Sequence, residues 1–174
     1  MYTAYVSTCT PSGEHAMRIV RTLDPKDFDI QQTRHDDFTV VVLAVLPDNV
    51  SLPMIQDPRK PQPVYVKLPG GEGEYGESVF EAAQRELDEE TGALVEELTL
   101  FRVEERVNYD GKGTHLVLYV AGFVTGYKDG AGLKELGDEG EIVNRFKQEE
   151  LPELVDLFRP HRAALEEVGF LPTF

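Results

Sequence analysis

The chain has 174 residues, enough for one packed domain and short for two, so a single domain over residues 1–174 is expected. With 41% hydrophobic and 28% charged residues it matches ordinary globular usage, which excludes a disordered, collagenous or fibrous chain. Acidic residues outnumber basic ones 32 to 17, a formal net charge of -15; that field repels nucleic-acid backbones and anionic bilayers, so neither is an expected partner.

In chain order, the first residues carry no positive cluster ahead of an apolar run, so no secretory signal is expected. Cys9 is the single cysteine; no internal disulfide can form, and a cytoplasmic location is expected. Residues 38–46 form the longest apolar run, nine residues, which is half a membrane span but the right length for a buried, β-branched strand. Residues 47–63 hold five of the eleven prolines and read as a long, mostly irregular loop inserted between two strands, because proline removes ladder donors. A second short strand is expected at 64–68, bounded by Pro63 and Pro69.

Residues 76–91 switch to helical spacing. Ser78 followed three residues later by Glu81 is a capping box, and Gly92 stands where a helix C-cap belongs. Strands are expected at 98–107 and 115–124, flanking a hairpin turn over 108–113, with another at 142–146. Two helical segments, about 151–158 and 160–168, close the chain. This order implies an α/β fold, a mixed sheet between helices, not a strictly alternating parallel wind.

Gly71, Gly73 and Gly76 satisfy G-x-G-x-x-G, the spacing of a dinucleotide-binding turn. Glu72 and Glu74 inside the motif oppose that reading, since their carboxylates would meet the pyrophosphate. The following helix carries more. Ten acids lie between residues 72 and 97, and Glu86, Glu89 and Glu90 at i, i+3 and i+4 share one helix face. Phe80, Ala83 and Leu87 form an adjacent apolar stripe, with Glu81, Gln84 and Asp88 toward solvent. Three stacked carboxylates are either a solvated acidic face or a site for a hard divalent cation; without His or Cys nearby, Mg²⁺ or Mn²⁺ suits them better than Zn²⁺.

From Gly71, five residues lead to Glu77 and seven more to the run Arg85-Glu86-Leu87-Asp88-Glu89-Glu90-Thr91-Gly92-Ala93. This resembles the Nudix box, G-x5-E-x7-R-E-U-x-E-E-x-G-U, at all nine specified positions over 23 residues, with Ala93 smaller than the usual last residue. The resemblance implies a Nudix-like α/β/α sandwich and hydrolysis of a pyrophosphate bond in a nucleoside diphosphate-linked compound. ADP-ribose, dinucleoside polyphosphates and nucleoside triphosphates are the substrate classes it suggests. It also implies divalent metal on Glu86, Glu89 and Glu90 with a backbone carbonyl of the Gly70-Gly71 loop, that of Gly71. Glu77 and Arg85 match the pair that holds the loop to the helix. The proton acceptor would be Glu89, Glu90 or an acid from a later loop, for which Glu139 and Glu141 stand ready. Family members are often dimers, so a homodimer is open. A Nudix-fold nucleotide sensor or partner-binding module without turnover is the alternative.

Substrate selection lies outside the box. Tyr109, 16 residues beyond Ala93, falls where a tyrosine marks the family's diadenosine polyphosphate hydrolases, and its ring suits stacking on a base, though its place in the expected hairpin beside Asn108 and Asp110 favours a turn residue. Arg102 and Arg106 share one strand face and would meet phosphate or act as ladder residues. The 47–63 loop, with Arg59 and Lys60, would close over the site.

Overall fold

The computed structural model describes residues 2–9, 15–24, 26, 38–61, 63–107, 114–154 and 156–172. Of the first two strands, β1 (Tyr2–Cys9) and β2 (His15–Leu23), it describes chiefly the backbone. The remaining elements are β3 (Phe38–Val45), β4 (Ser51–Gln56), α1 (Val79–Thr91), β5 (Ala93–Val107), β6 (Thr114–Tyr127), β7 (Ile142–Lys147) and α2 (Arg159–Glu167), with a 3-10 turn at Leu151–Glu153. Five strands form a mixed sheet in the order β1-β2-β5-β6-β3, in which β3 runs parallel to β6 and the other pairs are antiparallel. β4 and β7 form a separate antiparallel pair.

β3 explains the unbroken apolar run, because both of its faces are covered. Val40, Val42 and Ala44 join one core with Ala82, Ala83 and Leu87 of α1, while Val41 and Leu43 join a second with Leu52, Met54, Ala164 and Leu165. The sheet thus lies between α1 on one face and α2 with the β4–β7 pair on the other, the α/β/α layering expected of a mixed sheet. Beyond β3 the sheet does not end in an open edge. The segment after Leu68 pairs along it through Val42 N–H to Pro69 O, Val40 N–H to Gly71 O and Gly73 N–H to Phe38 O, each 2.9 Å. Gly70 lies at φ 142 with Val40 O only 2.1 Å from where a Cβ would stand, so only glycine fits the point where the chain turns toward α1.

Several expectations are corrected. The 47–63 segment, expected as a mostly irregular loop, contains a strand, β4, buried along most of its length. Pro53 is tolerated because Ile55, two residues on, sends its N–H to Lys67 O and away from β7, so the donor that proline lacks falls on the same outer side. The strand expected at 64–68 is reduced to bridges, Val66 with Leu157 and Lys67 with Ile55, although Val66 and Leu68 are buried. β5 starts at Ala93, five residues earlier than expected, and reaches its length through register shifts, one of them beside Glu97 at φ 54. The helix expected at 151–158 shrinks to its 3-10 turn, where Pro152 lies. The turn at 108–113, Tyr109 with it, lies outside the described residues. Among the described residues no helix is long and apolar enough to cross a membrane.

Candidate active site

α1 is built by local rules. Ser78 accepts from Glu81 N–H at 3.3 Å, Glu81 returns the bond by accepting from Ser78 N–H at 2.8 Å, and Gly92 at φ 73 closes the far end on Asp88 O. Val79, Ala82, Ala83 and Leu87 bury one side of the helix. Gln84 and Asp88, expected toward solvent, are engaged: Gln84 accepts from Val95 N–H at 3.2 Å and Asp88 pairs with Lys128 at 2.5 Å. The opposite side of α1 faces a cavity of about 680 Å³, whose lining among the described residues is glycine, lysine, arginine and carboxylates. Among the described residues, no aromatic or aliphatic side chain lines it.

Arg85 organises the box. Its Nε and Nη2 grip both oxygens of Glu77 at 3.0 Å, Nη2 also donates to Glu72 O at 3.0 Å, and Nη1 donates to Glu86 at 2.7 Å and Glu89 at 3.2 Å. Burial works against the charge of Glu77, yet the guanidinium prevails and holds its carboxyl below the usual range. Glu86 goes the other way: burial raises it despite Arg85. Gly71 is what lets Glu86 lie so close, since a Cβ there would stand 2.5 Å from its carboxylate. Glu90 is only 9% exposed, accepts from Gly70 N–H at 2.7 Å and has Lys67 Nζ 4.0 Å away. Burial pushes its carboxyl up to about 8, with Lys67 and Gly70 opposing and the charges of Glu86 and Glu141 adding. The Gly71 carbonyl accepts from Val40 N–H and serves β3; Gly70 lines the cavity, and its carbonyl makes no hydrogen bond among the described residues.

The far wall comes from two loops. Residues 134–141 are fastened to the C-terminus of α1, where Lys134 Nζ donates to Asp88 O and Glu89 O and Asp138 N–H donates to Glu89 O at 3.0 Å. That clamp aims Glu141 inward, where it is buried, while Glu139 stays 76% exposed at the mouth. From the segment after β4, Arg59 crosses to both, and Lys60 lines the same wall. Arg102 is elsewhere, on the sheet face toward α2, tied to Glu104 at 2.9 Å and to Glu167 of α2 with its guanidinium 5.7 Å from the Tyr119 ring centre. It does not line the cavity.

A family profile describing a NUDIX domain matches residues 35–172. The chain belongs to the NUDIX family. The 8-oxo-dGDP phosphatase NUDT18 of Mus musculus is 46% identical over 67 residues, which are 38% of this chain and 21% of that protein; the chain thus spans about a fifth of that relative's length. The fold matches the Bacillus subtilis pyrophosphohydrolase BsRppH at TM-score 0.62 and 18% identity, over 97% of this chain and 96% of that one. It also matches the NUDIX domain of Shewanella oneidensis NrtR, solved with ADP ribose, at TM-score 0.61 and 15% identity over 83% and 93%. A NUDIX hydrolase from Nitrosomonas europaea gives 0.61 at 20% identity over 78% and 89%.

Around this Nudix cavity the structure gathers Glu77, Arg85, Glu86, Glu89, Glu90, Gly71 and Glu139 from the expected set, Glu77 through its grip on Arg85. Sequence reading alone did not single out Asp57, Lys67 or His161. His161, buried in α2, accepts from Leu68 N–H at 2.9 Å and so fixes the backbone just before Pro69-Gly70-Gly71. Burial first, then nearby Lys67 and Arg106, lowers it to about 3, which keeps it neutral and able to accept. A lone histidine 93 positions away along the chain carries no local signal of that partnership.

Proposed function

We propose that this chain hydrolyses the pyrophosphate bond of a nucleoside diphosphate-linked compound with the help of Mg²⁺, Mn²⁺ serving as a substitute. The observation that carries the reading is the cavity itself: box carboxylates on one wall, lysine and arginine on the other, and no aromatic or aliphatic side chain between them among the described residues. Such a space recognises charge, so it suits a polyphosphate and leaves the nucleoside to be held elsewhere.

The donors fit a hard divalent cation. They are carboxylate and carbonyl oxygens without His or Cys, Glu90 is a buried carboxyl that a nearby positive charge would return to its ionised form, and Gly71 leaves the room that Glu86 fills. Among the described residues no three such groups already form a cluster that would grip one ion; Arg85 and Arg59 act as counter-ions in the meantime. Glu86, Glu90, Glu141 and the Gly70 carbonyl would hold the cation. Bound there, it would neutralise phosphate oxygens and lower the pKa of the attacking water. Glu89, on the same face of α1 and partly exposed to the cavity, accepts the water proton, while Arg85 keeps Glu86 and Glu89 in place. Lys60 and Lys67 line the cavity, where they would face the phosphate oxygens of a bound substrate.

The test is product release, followed by chromatography, from 8-oxo-dGDP, ADP-ribose, diadenosine polyphosphates and nucleoside triphosphates with Mg²⁺ and then Mn²⁺. Cleavage of one class to a nucleoside monophosphate is expected. Saturable binding of these compounds without any product would replace hydrolysis with a sensor role.

A further inference from the structure

We propose that Arg59 is an exchangeable counter-ion that leaves Glu141 when a divalent cation takes that carboxylate, then turns its guanidinium to a phosphate of the substrate. The proposal rests on the hydrolase reading above and adds a residue outside the box to it.

Three carboxylates converge on one nitrogen. Arg59 Nη2 lies 3.0 Å from Asp57 Oδ2, 2.9 Å from Glu139 Oε2 and 2.6 Å from Glu141 Oε1. An Nη nitrogen carries two protons, so three acceptors oversubscribe it and at least one bond is shared. Asp57 is the fixed partner: it also accepts from Arg59 Nε at 2.8 Å and from the Arg59 backbone N–H at 3.0 Å, and it is buried. The guanidinium therefore stays at the cavity wall whichever loop acid it holds. Glu139 and Glu141 are the partners that can change.

The two ends of the Glu141 bond differ in what separation would leave behind. Arg59 is 49% exposed, so a released guanidinium remains hydrated. Glu141 is 5% exposed, and a buried carboxylate stripped of its counter-ion is strongly destabilised unless another cation replaces it. Loss of Arg59 and arrival of a divalent cation are then one coupled event. The freed guanidinium faces a cavity that Lys60 and Lys67 also line, where its planar donor fork matches a phosphate better than either lysine does.

The experiment uses the full chain. Mn²⁺ affinity is read from the free-ion electron paramagnetic resonance signal, and methylenediphosphonate, a non-hydrolysable pyrophosphate analogue, is titrated calorimetrically at saturating Mg²⁺. Arg59→Ala and the polar variant Arg59→Gln should each bind Mn²⁺ about fivefold more tightly, the scale of one partly exposed ion pair. Lys60→Ala, which removes the same charge without touching Glu139 or Glu141, should tighten it less. In a Glu141→Gln background the effect of Arg59→Ala should vanish, and both Arg59 variants should bind methylenediphosphonate about tenfold more weakly. Unchanged or weakened Mn²⁺ binding in the Arg59 variants, an effect that survives Glu141→Gln, or undiminished analogue binding would each overturn the exchange alone. A wild type that binds no Mn²⁺ would overturn the hydrolase reading as well.

Discussion

Glu139 and Glu141 are two residues apart and end in opposite surroundings. The turn closed by Gly140 N–H to Gly137 O, with Glu139 N–H donating to Glu141 Oε2, folds Glu141 inward and leaves Glu139 at the mouth. Gly137 makes room, because a Cβ there would stand 2.6 Å from the Glu141 carboxylate. Glu141→Gln is therefore expected to lower kcat/KM by about a hundredfold, and Glu139→Gln by less than about threefold, in steady-state kinetics on whichever substrate is cleaved. Equal losses would place both acids in the same role. The sequence showed an acidic turn here but not which acid enters, since that choice depends on the clamp between Lys134 and the end of α1. Arg102 taught the converse: its strand position is as expected, yet Glu104 and Glu167 claim it, and both partners are set by tertiary packing.

At the scale of the element, α1 was legible almost to the residue because its signals are local: the capping box, the left-handed glycine and the i, i+3, i+4 carboxylates all act within one helix. Removing the cap with Ser78→Ala should cost about 1 kcal/mol of unfolding free energy in urea titrations, as lost N-caps generally do. A change near zero would mean that the Arg85–Glu77 pair alone holds the helix start. β4 was not legible. Its five-proline neighbourhood looks like a loop, and only the sheet's geometry, which places the missing donor of Pro53 away from β7, makes a strand possible. The small sheet it makes with β7 escaped for the same reason, since Ile142–Lys147 has no distinctive partner within reach along the chain.

Across the whole molecule, α2 supports the site through the sheet. His161 carries the glycine loop on one hydrogen bond to Leu68, and that bond needs a neutral ring. Its folded-state pKa, near 3, lies below the ordinary value of 6.5, so between those pH values the unfolded chain binds the extra proton. The stability this group contributes is complete above pH 6.5 and is lost as the pH falls toward 3, at about 1.4 kcal/mol per pH unit. Urea unfolding at pH 7 and pH 5 should show a larger drop for wild type than for His161→Gln, which cannot titrate; equal drops would remove His161 from the acid response.

Nine carboxylates line one cavity and are only partly offset there by Arg59, Lys60, Lys67 and Arg85, an arrangement that a polyphosphate with a divalent cation would complete. The most direct measurement compares wild type with Glu90→Gln on the best cleaved nucleotide, with Mg²⁺ and with the metal chelated. The account predicts product release by the wild type with Mg²⁺ alone and a loss of about a hundredfold or more in the variant. Equal turnover by the two proteins, or turnover that persists without metal, would contradict it.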